Sequence, residues 1–79
     1  MKFTPSAVYE LDVKGLLCPM PVIKTQNKAK QLLPGDILKV TATDPGVKQD
    51  IPAWCRINKH TLKEITTEGN DIVLVIEIN

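Results

Sequence analysis

Aromatic residues are scarce in this chain: Phe3, Tyr9 and Trp54 are the only three in 79 positions, so a core must come mainly from Val, Ile and Leu. Long apolar runs are missing as well. The longest aliphatic stretch, Ile72 to Ile76, is far short of the roughly 18 residues that a spanning helix needs, and Met1 to Ser6 lead into no apolar segment of the secretory kind. No membrane association is expected. Ten basic and nine acidic residues leave a net charge of only +1, no footprint for a polyanion, so direct nucleic-acid binding is disfavoured. Cysteine is limited to Cys18 and Cys55, which form neither a dense disulfide pattern nor the paired spacing of a zinc site. The single histidine, His60, leaves no set of three or four metal ligands, and no phosphate-binding glycine loop is present. Metals and organic cofactors are therefore not expected, and free thiols suit a reducing, cytoplasmic compartment.

What is present reads as one domain over residues 1–79, with 1–6 a loose tail. A chain this short hides only about 60% of its unfolded surface on folding, so the core will be thin. From Ala7, the alternation of Val8, Glu10 and Asp12 with Tyr9, Leu11 and Val13 has the period of two of a first strand, ending before Gly15. Val22, Gln26, Ala29 and Leu33 recur at spacings of three and four, giving an amphipathic helix that Pro34-Gly35 stops. Ile37 to Thr43, rich in β-branched residues, reads as a second strand.

Asp44-Pro45 is a helix-start signal, yet a proline deep in a helix costs roughly 3 kcal/mol. Pro52 therefore places a turn over 45–49 and a second helix capped by Asp50, with Ile51, Trp54 and Cys55 on one side. Thr61 to Thr66 and Ile72 to Ile78 supply two strands around the turn at 68–71. The last has aliphatic residues on both faces, as a central strand does; the one before it, with Lys63 and Glu64, suits an edge. The order β-α-β-α-β-β, with right-handed crossovers, gives an α/β two-layer sandwich: a mixed four-stranded sheet with both helices on one face.

Cys18-Pro19-Met20-Pro21 places a cysteine between a loop and a helix start, with Pro19 as the first helical residue and Cys18 as its cap. Pro19 and Pro21 stiffen that junction. A thiolate there would face the positive end of the helix macrodipole, which is expected to lower its pKa from about 8.5 toward about 7. Lys14 would add to the effect if its side chain reached back. Spacing alone leaves two readings open, because free cysteine is also among the most buried residue types. Cys55 shares a helical face with Ile51 and Trp54 and is assigned to packing. His60, at the end of the second helix, is read as helix-terminal or solvated rather than as a base beside Cys18.

At these residues the chain resembles the TusA (SirA-like) sulfur carriers. Leu11-Asp12, Gly15-Leu16, Cys18-Pro19-Met20-Pro21-Val22, Pro34-Gly35-Asp36, Asp44-Pro45-Gly46 and Asp50-Ile51-Pro52-Ala53-Trp54-Cys55 stand in that family's order and spacing over nearly the whole chain. The resemblance implies strand order 1-2-4-3, with the last strand antiparallel to the others. It also implies that Cys18 carries sulfane sulfur as a persulfide. The sulfur would come from a cysteine desulfurase or a rhodanese- or DsrE-like sulfurtransferase and pass to an acceptor protein, for tRNA 2-thiouridine, molybdenum cofactor or sulfur oxidation. Two departures, Met20 where an acidic residue is common and a final strand without the usual aromatic and basic residues, bear on partner identity rather than chemistry.

No cofactor, nucleic acid or membrane enters that scheme, and the carrier is expected to be a monomer. Met20 is a candidate docking contact. Lys24, Lys28, Lys30, Arg56 and Lys59 read equally as a basic docking rim or as the wet faces of helices. Two other functions stay in view at this point: a thiol-disulfide redox protein using Cys18 and Cys55, and a non-catalytic regulatory interaction module.

Overall fold

A computed structural model describes residues 7–79; the expected tail at 1–6 lies outside them. The elements follow the order β1 (Val8–Val13), α1 (Met20–Ala29), β2 (Ile37–Ala42), α2 (Val47–Ile57), β3 (Thr61–Glu68) and β4 (Asp71–Glu77). The sheet order is β1-β2-β4-β3. β1 and β2 pair in parallel, with Val8 opposite Ile37 and Val13 opposite Ala42, while β4 runs antiparallel to both β2 and β3. Both helices thus cross between parallel strands, and both begin at the carboxyl end of the strand before them.

Period-two patterning decides which way the sheet faces. Leu38, Val40 and Ala42 of β2 and Ile72, Leu74 and Ile76 of β4 are buried, and Val47, Ile51, Trp54 and Cys55 of α2 close over them with Ala29 of α1. On the opposite face Val73 and Val75 are half-buried beside Lys39, Glu64 and Thr66. The aliphatic residues on both faces of β4 reflect its central place. β3 is an edge strand, as is β1, and a register shift between Leu62 and Glu64 interrupts its pairing.

Both helices depart from expectation. α1 ends at Ala29, and the i→i+3 bonds of Gln31 to Lys28 and of Leu32 to Ala29 tighten the chain beyond it. The tightening turns Leu32 onto the core and leaves Leu33 70% exposed. The buried stripe is Pro21, Thr25 and Ala29, with Val22 half-buried and Gln26 exposed. Thr25 can be buried because its hydroxyl donates to the Pro21 carbonyl at 2.8 Å.

α2 begins at Val47, not after Asp50, and holds Pro52 as its sixth residue. The lost backbone bond would have reached the carbonyl of Lys48, an exposed residue in the first turn, where water can replace it. Ile51 and Trp54, buried on either side of Pro52, outweigh that loss. The earlier start makes Asp50 a first-turn side chain rather than a cap.

Truncating Leu74, which has no exposed surface, should cost about 2–5 kcal/mol as Leu74→Ala. Leu33→Ala should stay within about 0.5 kcal/mol. Urea unfolding of the two variants checks the placement of both residues.

Candidate functional site

The carboxyl ends of the parallel strands β1 and β2 lie side by side, so the loops that follow them meet. Two hydrogen bonds join these loops, and a third reaches from Cys18 to the first turn of α2. Thr43 Oγ1 accepts from the Gly15 N–H at 2.9 Å, Asp44 Oδ2 accepts from the Cys18 N–H at 2.8 Å, and the Cys18 thiol donates to Asp50 Oδ2 at 3.1 Å. Asp44 also accepts from the Gly46 N–H at 3.1 Å through its other oxygen. The thiol is exposed and free.

Gly46 is needed here for space rather than for conformation. Its φ of −59° suits any residue, but a Cβ at that position would stand 3.1 Å from Cys18 Sγ. The sulfur therefore rests against the start of α2 as well as preceding α1. In α1 itself Met20 is the first helical residue and Pro19 the residue before it, so Cys18 is one position outside the cap assigned from sequence. Pro19 is exposed at the helix entrance, and Pro21 is buried beneath the first turn.

The electrostatics reverse the expected direction. Hydrogen bonds to Asp50 and then to Asp44, with smaller contributions from desolvation and from the two negative charges, push the Cys18 thiol up to about 12. A helix end carries only about half an elementary charge, whereas each carboxylate carries a full one, and both favour S–H over S⁻. Lys14 is not among the groups that act on the sulfur. In return, the Cys18 side chain and backbone, with the Gly46 N–H, hold the Asp44 carboxyl below the usual carboxylate range.

The remaining candidates scatter around this point. Met20, at 40% exposure, and the 73% exposed Leu17 flank Cys18 in sequence. Lys24 and Arg56 are exposed, as are Lys30 and Lys59, while Lys28 is half-buried with its ammonium 5.3 Å from the centre of the Tyr9 ring. A groove of about 450 Å³ runs between the helices, lined by Pro19, Val22, Asp50, Ala53, Trp54 and Ile57 among others. Trp54 donates across it to Gln26 at 3.3 Å. Cys55 is buried in the core, where desolvation pushes its thiol up to about 11. His60 lies past the far end of α2, its ring 5.0 Å from that of Trp54 and its Nδ1 accepting from the Asn79 N–H at 3.2 Å.

Asp44 and Asp50 are the site residues that sequence reasoning missed. Both read as helix caps, which hid their side-chain contacts with a cysteine 26 and 32 positions away.

Comparison with known proteins gives a consistent result. The family model for Sulfurtransferase TusA matches residues 9–78. The putative sulfur carrier protein YrkI of Bacillus subtilis is 48% identical over 60 residues, covering 76% of this chain and 80% of that protein. The sulfur carrier protein TusA of Pseudomonas aeruginosa is 50% identical over 59 residues, 75% of each chain. A putative sulfur carrier protein of Neisseria meningitidis is 37% identical over 67 residues, 85% of this chain and 90% of its own.

Two pH dependences follow. Alkylation of Cys18 by iodoacetamide, followed by peptide mass, should stay slow through about pH 9 and climb only toward pH 12. Because the folded state holds Asp44 below its unfolded value, its contribution to stability is present above the ordinary carboxylate range and is lost as pH falls through the folded value. Asp44→Asn should accordingly flatten the loss of stability between about pH 5 and pH 2 in urea titrations.

Proposed function

The chain belongs to the TusA family of sulfur carriers, and from that premise we propose that Cys18 is the atom-bearing residue, holding sulfane sulfur as a persulfide between two protein partners. The observation that carries this reading is an exposed thiol at the junction of two hydrogen-bonded loops, with Gly46 leaving room beside the sulfur. Pro19 and Pro21 support it by fixing the entrance of α1, so that the chain cannot close over Cys18.

In uptake, the Cys18 sulfur attacks the terminal sulfur of a donor persulfide. A new S–S bond forms on Cys18, the donor's S–S bond breaks, and the donor leaves as a thiolate. Delivery repeats the exchange in the opposite sense on an acceptor. The donor is a cysteine desulfurase or a rhodanese- or DsrE-like sulfurtransferase, and the acceptor serves tRNA 2-thiouridine synthesis or sulfur oxidation. Met20, Lys24 and Arg56, all exposed, are available to touch these partners, and so is Lys28 from its place over Tyr9. Among the described residues no helix is long and apolar enough to cross a membrane. A reducing cytoplasm suits a carrier whose two cysteines are both free.

After incubation with a cysteine desulfurase and cysteine, the intact mass should rise by one sulfur atom. Cys18→Ser should abolish the gain and Cys55→Ser should leave it. Retention of the gain in Cys18→Ser would remove Cys18 from the reaction.

A further inference from the structure

A carrier whose sulfur is held as S–H does not attack a persulfide readily, since the thiolate is the nucleophile. The structure nevertheless aims the thiol hydrogen at Asp50 Oδ2, 3.1 Å away, and backs it with Asp44, whose Oδ2 already accepts the Cys18 N–H. Among the described residues neither carboxylate is in an ion pair; the pair found there joins Lys63 to Glu77, on β3 and β4. Asp50 is exposed in the first turn of α2 and is one of the residues that line the groove between the helices. Asp50 is therefore accessible to a side chain that enters along that groove.

Building on the carrier reading, we propose that Asp50 is the latch on Cys18: in the free protein its carboxylate keeps the sulfur protonated, and a lysine or arginine next to the partner's persulfide cysteine releases it by pairing with Asp50. Once the carboxylate is paired, it no longer raises the cost of a neighbouring negative charge. The thiol then gives its proton to solvent, and the resulting Cys18 thiolate attacks the partner's terminal sulfur. The partner's cysteine leaves as a thiolate, reduced from persulfide, while Cys18 is oxidised from thiol to persulfide, so no further oxidant or reductant enters.

Asp44 contributes to the same protonated state but is committed to the Cys18 and Gly46 N–H groups, which fix the loop. Asp50 has no such backbone duty and is free to change partners. The arrangement favours donors with basic side chains at the reactive cysteine over small anionic thiols and disulfides. A resting carrier is thereby protected from nonspecific oxidation.

The test uses the full chain, its Asp50→Asn variant and a Glu77→Gln control at the opposite end of the sheet. In the first arm, iodoacetamide at about pH 7.5 should modify Cys18 of Asp50→Asn at least about tenfold faster than that of the parent, the factor for one pKa unit. Glu77→Gln should match the parent. In the second arm, two synthetic peptides present a cysteine persulfide, flanked by arginines in one and by glutamates in the other. The parent should take sulfur from the arginine peptide at least about tenfold faster, and Asp50→Asn should lose most of that preference by gaining rate with the glutamate peptide.

Equal alkylation rates in parent and Asp50→Asn overturn the latch, as does an Asp50→Asn variant that is slower with both peptides, which would make Asp50 a required base. If neither peptide loads Cys18 while the alkylation difference stands, the carrier reading falls and the control of the thiol by Asp50 survives.

Discussion

The hydrogen bond from the Cys18 N–H to Asp44 Oδ2, at 2.8 Å, ties the cysteine's own backbone to the loop after β2, beside the bond from the Gly15 N–H to Thr43. Val13, Leu16 and Pro21 anchor the loop to the core on either side, but Cys18 itself is exposed and has no apolar anchor of its own. With the bond to Asp44, the sulfur is placed beside Gly46, where only a hydrogen stands in for a side chain, and beside the first turn of α2. Exposure, room and electrostatic control of the thiol all depend on that junction. The junction in turn depends on β1 and β2 being parallel neighbours, since parallel pairing brings both carboxyl ends, and hence both helix starts, to one side.

The core and the site make opposite demands on α2. Ile51, Trp54 and Cys55 turn its apolar side to the sheet, and Pro52 sits among them at the expense of one backbone hydrogen bond. Starting the helix at Val47 keeps Asp50 on the exposed side and within reach of Cys18. Packing therefore positions a surface carboxylate that contributes nothing to packing. The two cysteines diverge for the same reason. Cys55 is on the apolar side of the helix and serves as a small hydrophobe, whereas Cys18 lies on the exposed loop before α1, where its backbone N–H and that of Gly15 donate to Asp44 and Thr43.

A protonated resting thiol changes how a carrier of this kind is understood physically. A helix dipole alone would favour a permanently reactive sulfur, open to any oxidant it meets. Two carboxylates instead favour the protonated sulfur, and the proposed release of Asp50 by a partner's cation would make its reactivity conditional on docking. The basic residues on α1 and α2 and the acidic pair at the sulfur put both signs of charge on the surface of the helical layer, a basis for telling partners apart rather than for tight binding.

Much of this molecule was legible in the sequence. Alternation in β1, β2 and β4, the polar edge strand, the central last strand and the place of Cys18 just before a proline-marked helix start follow from periodicity and from the limits that proline imposes, both of which act within a few residues, whereas the exposure of Cys18 was left open by spacing alone. Helix limits were less legible. The face of α1 was displaced by one position because a buried threonine satisfied itself on the Pro21 carbonyl, and α2 started earlier because the burial of Ile51 and Trp54 outweighed the local cost of Pro52. The charge state of Cys18 was decided only by the tertiary structure. Residues 18, 44 and 50 are distant in sequence, and their electrostatic coupling falls off over a few ångströms, so it exists only once the parallel strands have brought their loops together.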